Sequence, residues 1–223
     1  MSGMKLAVFD VDGTLCDSQG HILSAMAAAF GAAGLVVPPR ETVLSIVGLS
    51  LPVAVARLVP DLDRDVQDRL VAAYKSAYSV ARAAELAPLY DGIAALIDGL
   101  AGRGDVILGI ATGKSRRGLD HLLAGHGLTG HFFTRQVADD HPSKPHPAML
   151  LAAMVEAGAA PEATVMIGDT TYDMEMGRAA GVRTLAVTWG YHGAGALAAT
   201  GPDRTATRVA EIAPLLDELW GAT

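Results

Sequence analysis

The sequence predicts an α/β fold: a Rossmann-like parallel sheet core with helices on both faces, plus an inserted all-α cap domain. Three observations predict it. Continuous apolar runs recur at residues 6–9, 106–111, 164–167 and 183–187, the pattern of strands buried on both faces. Ala- and Leu-rich stretches long enough for helices separate the last three, and such alternation specifies a parallel sheet covered on both sides. Between Asp17 and Pro88, by contrast, the periodicity is helical and no strand is visible.

In chain order, residues 6–9 form the first strand and run into Asp-Val-Asp-Gly, a turn. Helices are predicted next over 21–33, 43–47, 52–58 and 66–84, punctuated by Pro38-Pro39 and Pro60, which stop helices. About 70 residues exceed the dozen or so that a crossover between parallel strands requires. Residues 17–88 are therefore assigned to a helical cap, with 1–16 and 89–223 forming the α/β core; the alternative is that these helices pack on the sheet as ordinary crossovers. Then follow a helix over 92–101, the strand 106–111, a helix over 116–124 and a weaker strand near 132–134. A helix over 147–157, the strand 164–167, a helix over 174–180, the strand 183–187 and a closing helix over 209–220 complete the chain.

Composition excludes several classes of function. The 223 residues carry 17 Lys and Arg against 24 Asp and Glu, a net charge of −7, with 51% hydrophobic and 18% charged residues, so a packed core is expected and disorder is not. A negative balance without a basic run argues against nucleic-acid binding through phosphate neutralisation and against adhesion to an anionic membrane. The single cysteine, Cys16, excludes a disulfide framework and a Cys-rich zinc site. The N-terminal apolar run is broken by Asp10, too soon for a signal peptide or membrane span, and a cytoplasmic protein is expected. Monomer and homodimer are equally compatible with the sequence.

The residues that could carry chemistry all fall at predicted C-terminal strand ends, where ligands bind in open α/β sheets. The first group is Asp10-Val11-Asp12-Gly13-Thr14, where alternation puts two carboxylates on one side of the chain, within reach of one ion or phosphate. A calcium loop of the EF-hand type fails here, because its sixth and twelfth positions hold Leu15 and His21. The second is Thr112-Gly113-Lys114-Ser115. It lacks the glycine five residues before Gly113 that a P-loop needs, since Leu108 stands there, which leaves a hydroxyl and backbone N–H groups at a helix start, a phosphate contact or an ordinary N-cap by Thr112. The third is Ser143-Lys144-Pro145-His146-Pro147, whose prolines fix the backbone around Lys144. In the fourth, Gly168-Asp169-Thr170-Thr171-Tyr172-Asp173, a helix starting near Thr170 would put Asp169 and Asp173 on one face; the alternative is that Asp169 caps that helix.

In this order and spacing the motifs resemble the haloacid dehalogenase-like (HAD) superfamily, in its phosphoglycolate phosphatase-like branch with a helical cap after the first strand. The resemblance rests on Phe9-Asp10-Val11-Asp12-Gly13-Thr14-Leu15, Thr112-Gly113-Lys114, Lys144-Pro145, Gly168-Asp169 with Asp173, and the late loop Thr188-Trp189-Gly190-Tyr191. It implies a phosphatase for a small phosphorylated metabolite. Asp10 would be the nucleophile that becomes aspartyl-phosphate, and Asp12 the general acid and then base. Thr112, with Gly113, would bind phosphoryl oxygens, and Lys144 would neutralise charge beside Asp10. Mg²⁺ would be held by Asp10, the main-chain carbonyl of Asp12 and Asp169, with Asp173 ligating it directly or indirectly.

The same resemblance leaves open a sugar-phosphate mutase, suggested by the cap loop Val47-Gly48-Leu49-Ser50, and a non-catalytic binding or regulatory protein on the same scaffold. Substrate choice is expected in the cap, with Ser18 and Gln19 at its hinge, Gly48 and Ser50 in its loop, and Arg40, Arg57 and Lys75 as cations whose surface role is the alternative. His141 and His146 flank Lys144, and Cys16 is read as a packing residue.

Overall fold

The computed structural model describes residues 4–221. Strand β1 (Lys5–Phe9) lies at the centre of the sheet because every one of its side chains past Lys5 is buried. Ala7 and Phe9 point into one apolar cluster with Ile97, Leu119 and Leu216, whereas Leu6 and Val8 point into another with Met149, Leu150 and Met176. Burial on both faces is why the run is unbroken in sequence.

The chain then leaves the sheet for α1 (Gln19–Ala32), α2 (Arg40–Leu44), α3 (Leu51–Leu58) and α4 (Arg64–Ala84). These helices share a hydrophobic cluster that includes Met26, Phe30, Val43, Val55 and Leu70 and is joined by Tyr172 from the later part of the chain. The outgoing and returning segments run side by side. Asp17 N–H donates to the Pro88 carbonyl (2.9 Å) and Tyr90 N–H to that of Leu15 (3.1 Å).

After the return come α5 (Ile93–Ala101), β2 (Val106–Thr112), α6 (Arg116–Gly125), β3 (Thr134–Val137), α7 (Ala148–Ala157), β4 (Thr164–Gly168), α8 (Thr171–Ala180), β5 (Arg183–Val187), α9 (Ala194–Ala199), β6 (Arg204–Ala206) and α10 (Ile212–Gly221). The six strands are parallel in the order β3-β2-β1-β4-β5-β6. The order reverses between β1 and β4, so the crevice at their carboxyl ends is the topological switch point, where ligands bind in this kind of sheet.

Four differences from the sequence expectation have physical reasons. The strand expected near 132–134 is Thr134–Val137, a polar edge strand preceded by the buried Phe132. Strand β6 is the other edge, three residues with two exposed, and leaves no apolar run to find. Helix α9 is six residues of Ala, Gly and Leu with one buried side chain, too short for periodicity. Helix α8 begins at Thr171, three residues before the 174–180 stretch and where a start near Thr170 would put it, because Thr170 and Asp173 cap each other's backbone N–H groups.

Candidate active site

Three carboxylates converge at the switch point. Asp10 follows β1, Asp169 follows the adjacent β4, and Asp173 lies in the first turn of α8. All are buried, and one carboxylate oxygen from each lies within 4.8 Å of the others. Asp169 is fixed by Thr14 Oγ1, donating to Oδ1 (2.8 Å), and by the Tyr191 N–H, donating to Oδ2 (2.8 Å). Asp173 Oδ2 accepts the N–H and hydroxyl of Thr170 (3.0 and 2.7 Å). Glycines make room for these groups. A Cβ on Gly13, which has φ +83°, or on Gly190 would stand 2.2 Å from Asp169 Oδ2, and one on Gly168 would stand 2.4 Å from Asp173 Cγ.

Lys144 reaches into the cluster from the loop between β3 and α7 and is only 2% exposed. Its Nζ donates to Asp173 Oδ1 at 2.6 Å and lies 3.0 Å from Asp10 Oδ1. The contact with Asp10 has the distance of an ion pair without hydrogen-bond alignment, and neither Asp10 oxygen accepts a hydrogen bond. Burial pushes the Asp10 carboxyl up to about 7, opposed by Lys144 and reinforced by Asp173. Burial, followed by the charges of Asp173 and Asp10, likewise holds Asp169 well above the usual carboxylate range. Around Lys144 burial works against the ammonium, but Asp10 and Asp173 outweigh it and raise its pKa.

One ammonium faces three buried carboxylates, with two acceptor oxygens unsatisfied. Such orphaned buried acceptors call for a partner, and an all-oxygen, net-negative set suits a hard divalent cation. The cluster can therefore hold a metal ion.

The Asp12 carboxylate is not part of this cluster, although it lines the same cavity as Asp10. It turns instead to Lys114 Nζ (2.7 Å) and the Ser18 hydroxyl. Ser18 N–H donates to the Tyr191 hydroxyl (2.9 Å), and Lys114 Nζ donates to the Tyr78 hydroxyl of α4 (2.9 Å) while lying 5.2 Å from that ring's centroid. Thr112 is buried and its Oγ1 accepts the N–H of Lys114 (3.2 Å). It does not cap α6. Ser115 does so, accepting the Gly118 N–H (3.2 Å), and Thr170 rather than Asp169 caps α8.

The insert meets the core along residues 45–50. The Ser45 carbonyl accepts the Tyr172 hydroxyl (2.9 Å) and His192 Nε2–H (3.1 Å); His192 Nδ1 accepts the Thr171 N–H, which fixes this tautomer. Gly48 has φ +97°, and a Cβ there would stand 3.1 Å from Thr170 Oγ1. A Cβ on Gly113 would stand 2.5 Å from the Leu49 carbonyl oxygen, and Ser50 N–H donates to Ser143 Oγ (2.9 Å). A cavity of about 510 Å³ lies between insert and core, and Asp10, Asp12, Thr112, Gly113, Gly48 and Ser50 all line it.

Of the cap cations singled out in sequence, Lys75 lines the cavity, whereas Arg57 donates to the Tyr172 hydroxyl and Arg40 to the Gln19 side chain. His141 contacts Gln136 Oε1, and His146 Nδ1 accepts the Ala148 N–H, so both act in local structure. Cys16 is buried, with Sγ 3.6 Å from the Val11 carbonyl oxygen. Sequence reasoning missed Tyr78, Arg82 and Arg117, all at the cavity, and gave Lys114 no partner. The helical spacing of Tyr74, Tyr78 and Arg82 on α4 was the available signal for two of them.

Buried carboxylates at the switch point, beneath helices that roof a cavity, are the arrangement of an α/β enzyme, with the candidate site between sheet and insert. The chain belongs to the haloacid dehalogenase-like hydrolase family, which it matches over residues 7–187. It is 34% identical over 214 residues to a Dickeya dadantii protein named "Probable phosphatase IndB", covering 93% of this chain and 91% of that one. It is 32% identical over 216 residues to the tyrosine-protein kinase PtkA of Mycobacterium tuberculosis, covering 96% of this chain and 71% of that one. A phosphoglycolate phosphatase from Pseudomonas putida is 31% identical over 196 residues, 84% of this chain and 71% of the enzyme. The solved structure of a haloacid dehalogenase-like family hydrolase from Streptococcus pneumoniae superposes with a TM-score of 0.84 at 27% identity, covering 96% of this chain and 99% of that one. These likenesses place the chain in the phosphoglycolate phosphatase-like branch. Among the described residues, no helix is long and apolar enough to cross a membrane.

Proposed function

We propose that the protein is a Mg²⁺-dependent phosphatase that hydrolyses a phosphate monoester of a small metabolite through an aspartyl-phosphate on Asp10, with residues 17–88 acting as its cap. The observation that carries this reading is Asp10 itself. It is a buried carboxylate at the switch point, both of whose oxygens accept no hydrogen bond, set against Lys144 and open to the cavity. A carboxylate committed to structure would have donors around it; one kept free of them is available to attack.

Phosphate monoesters are among the slowest to hydrolyse in water, and enzymes accelerate that hydrolysis by up to about 10²¹-fold. An Asp10 oxygen attacks phosphorus and the ester oxygen leaves, so one difficult displacement becomes two easier ones. Lys144 offsets charge on Asp10, and Thr112 and Gly113 offer a hydroxyl and an N–H to phosphoryl oxygens. Asp12 delivers a proton to the departing alkoxide. It then takes one from the water that attacks the aspartyl-phosphate, releasing inorganic phosphate and restoring Asp10. Asp10, Asp169 and Asp173, with the Asp12 carbonyl, would hold Mg²⁺, which when bound supplies the positive charge that lets an anionic nucleophile meet an anionic phosphoryl group.

The test is release of inorganic phosphate from a panel of small phosphate esters, with and without EDTA. Turnover that stops in EDTA and returns with Mg²⁺ supports the reading. Turnover indifferent to EDTA, or none by folded protein, overturns it. A coupled isomerase assay on hexose phosphates, in which isomerisation outruns phosphate release, would replace it with the mutase.

A further inference from the structure

The cavity above Asp10 has a size and a distribution of charge that bear on which ester enters it. Building on the phosphatase reading, we propose that the substrate is a phosphate ester with an apolar or aromatic body and a second anionic group at its far end, received by Arg82 and Arg117.

Size comes first. The cavity of about 510 Å³ falls within the roughly 300–1,000 Å³ of ligand sites. Phosphoglycolate has nine non-hydrogen atoms; even at the ~30 Å³ that a liquid water occupies, they fill about 270 Å³, half of the space. The walls continue the argument. Ile22, Met26, Val47 and Leu51 present aliphatic surface, and Tyr74 stacks on Tyr78 with centroids 5.7 Å apart and planes 18° from parallel. Apolar surface of this kind gains from covering an apolar or flat body and nothing from covering a two-carbon acid.

Charge then sets the far end. Tyr74, Tyr78 and Arg82 repeat every four residues along α4 and all line the cavity. Tyr78 contacts Lys114 beside Asp12, and Arg82 lies one turn on, about 6 Å along the helix axis. Its Nη1 is 3.6 Å from the place a Cβ on Gly118 would occupy, which brings it to the first turn of α6, the turn that carries Arg117. Arg64, Arg103, Arg116, Arg135, Arg204 and Arg208 are ion-paired; among the described residues Arg82 and Arg117, like Arg40, Arg57, Arg69 and Arg178, have no carboxylate partner, and of these six Arg82 and Arg117 are the two that line the cavity. Asp139, which also lines the cavity, is engaged by the Arg116 N–H at 2.8 Å. Two guanidinium groups without a carboxylate, lining the same cavity as the nucleophile and one helical turn beyond the Tyr78–Lys114 contact, form a receptor for a second carboxylate or phosphate. The carboxylate of phosphoglycolate, one carbon from the ester oxygen, would stay beside the reacting centre.

The experiment compares kcat/KM for benzyl phosphate, 4-carboxybenzyl phosphate and phosphoglycolate at fixed Mg²⁺. Both of the first two release a benzylic alcohol, and the two alcohols differ in the distal charge. The wild type is expected to favour 4-carboxybenzyl phosphate over benzyl phosphate by about tenfold, as befits hydrogen bonds to a charged group, and to place phosphoglycolate last. Arg82→Met and Arg117→Met should each shrink the ratio of the carboxylated to the uncharged ester severalfold, mainly through KM, with partial recovery in Arg82→Lys. A wild-type ratio near one, an unchanged ratio in both variants, or a preference for phosphoglycolate overturns the proposal while leaving the phosphatase reading standing. If no ester is hydrolysed, the phosphatase reading falls and this proposal with it.

Discussion

Asp12 and Lys114 meet at 2.7 Å, one from the turn after the first strand and the other from the loop after the second. The same ammonium donates to Tyr78 on α4, so the carboxylate proposed to move the proton is held by a core lysine that the insert also holds. Lys114→Met removes this support and leaves Asp12 with Ser18 alone. General acid–base catalysis contributes about 10²–10⁴-fold, and misplacing the acid forfeits part of that. We expect kcat/KM for alkyl phosphates, which reports the steps up to release of the alcohol and leaves out the later role of Asp12 as base, to fall about 10- to 100-fold. 4-Nitrophenyl phosphate should lose far less, because its leaving group departs without a proton. An equal loss on both esters would show that Lys114 acts on something other than Asp12.

The pairing of Lys144 with Asp10 and Asp173 makes opposite predictions for its two sides. Removing the ammonium by Lys144→Met strands two buried carboxylates, and breaking a buried pair in this way costs about 3–5 kcal/mol. Asp10→Asn removes one carboxylate from an over-full cluster and breaks no hydrogen bond to Asp10. In EDTA, urea unfolding should therefore show a large loss for Lys144→Met and little loss or a gain for Asp10→Asn, although both variants lose phosphatase activity. A comparable loss for Asp10→Asn would mean that the free Asp10 oxygens have a structural partner.

Strands β1, β2, β4 and β5 were legible because burial on both faces leaves a run of apolar residues that nothing else in the chain imitates. The edge strands β3 and β6 were misplaced or missed because one-sided pairing makes no such demand on Arg135, Gln136 or Thr205. At the site, Asp10, Asp169 and Asp173 could be picked out by position, each following a strand end or opening a helix. What Asp12 touches could not. Its partners Ser18 and Lys114 lie 6 and 102 residues away, and the choice between them and the cluster depends on how the chain turns at Gly13, which a motif does not encode. The cavity's cations were hidden for a similar reason. Arg82 and Arg117 look like any other arginines on solvated helices until α4 is laid against α6.

Asp169 offers the cleanest test of metal binding, because its carboxylate is fixed by Thr14 and Tyr191 rather than by Lys144. A ligand that binds only the folded state stabilises it by about 2.7 kcal/mol at 100 times its dissociation constant. Titrating Mg²⁺ into metal-free wild type should raise Tm progressively, and Asp169→Asn should show little rise over the same range. An unchanged Tm in the wild type would remove the cluster as a Mg²⁺ site.

The pH dependence of stability should reverse with metal. In the metal-free protein Asp10 titrates near 7, against 3.8 for an ordinary aspartate, so between these values the folded state binds more protons than the unfolded one. Stability from this group is therefore complete below about pH 4 and is lost as pH rises through about 7. His192 works the other way. Burial lowers its pKa below 6.5, so its contribution is complete above 6.5 and declines as pH falls below it. Subtracting the Asp10→Asn profile from that of the wild type, both in EDTA, cancels His192 and should leave a curve that falls from pH 4 to 8. With Mg²⁺ present the ligands must be deprotonated to bind, so the stabilisation conferred by metal should grow over the same interval. A flat difference curve in EDTA would place the Asp10 titration near that of an ordinary aspartate. The two surplus carboxylates would then be relieved in the folded protein by something other than a bound proton or a metal ion.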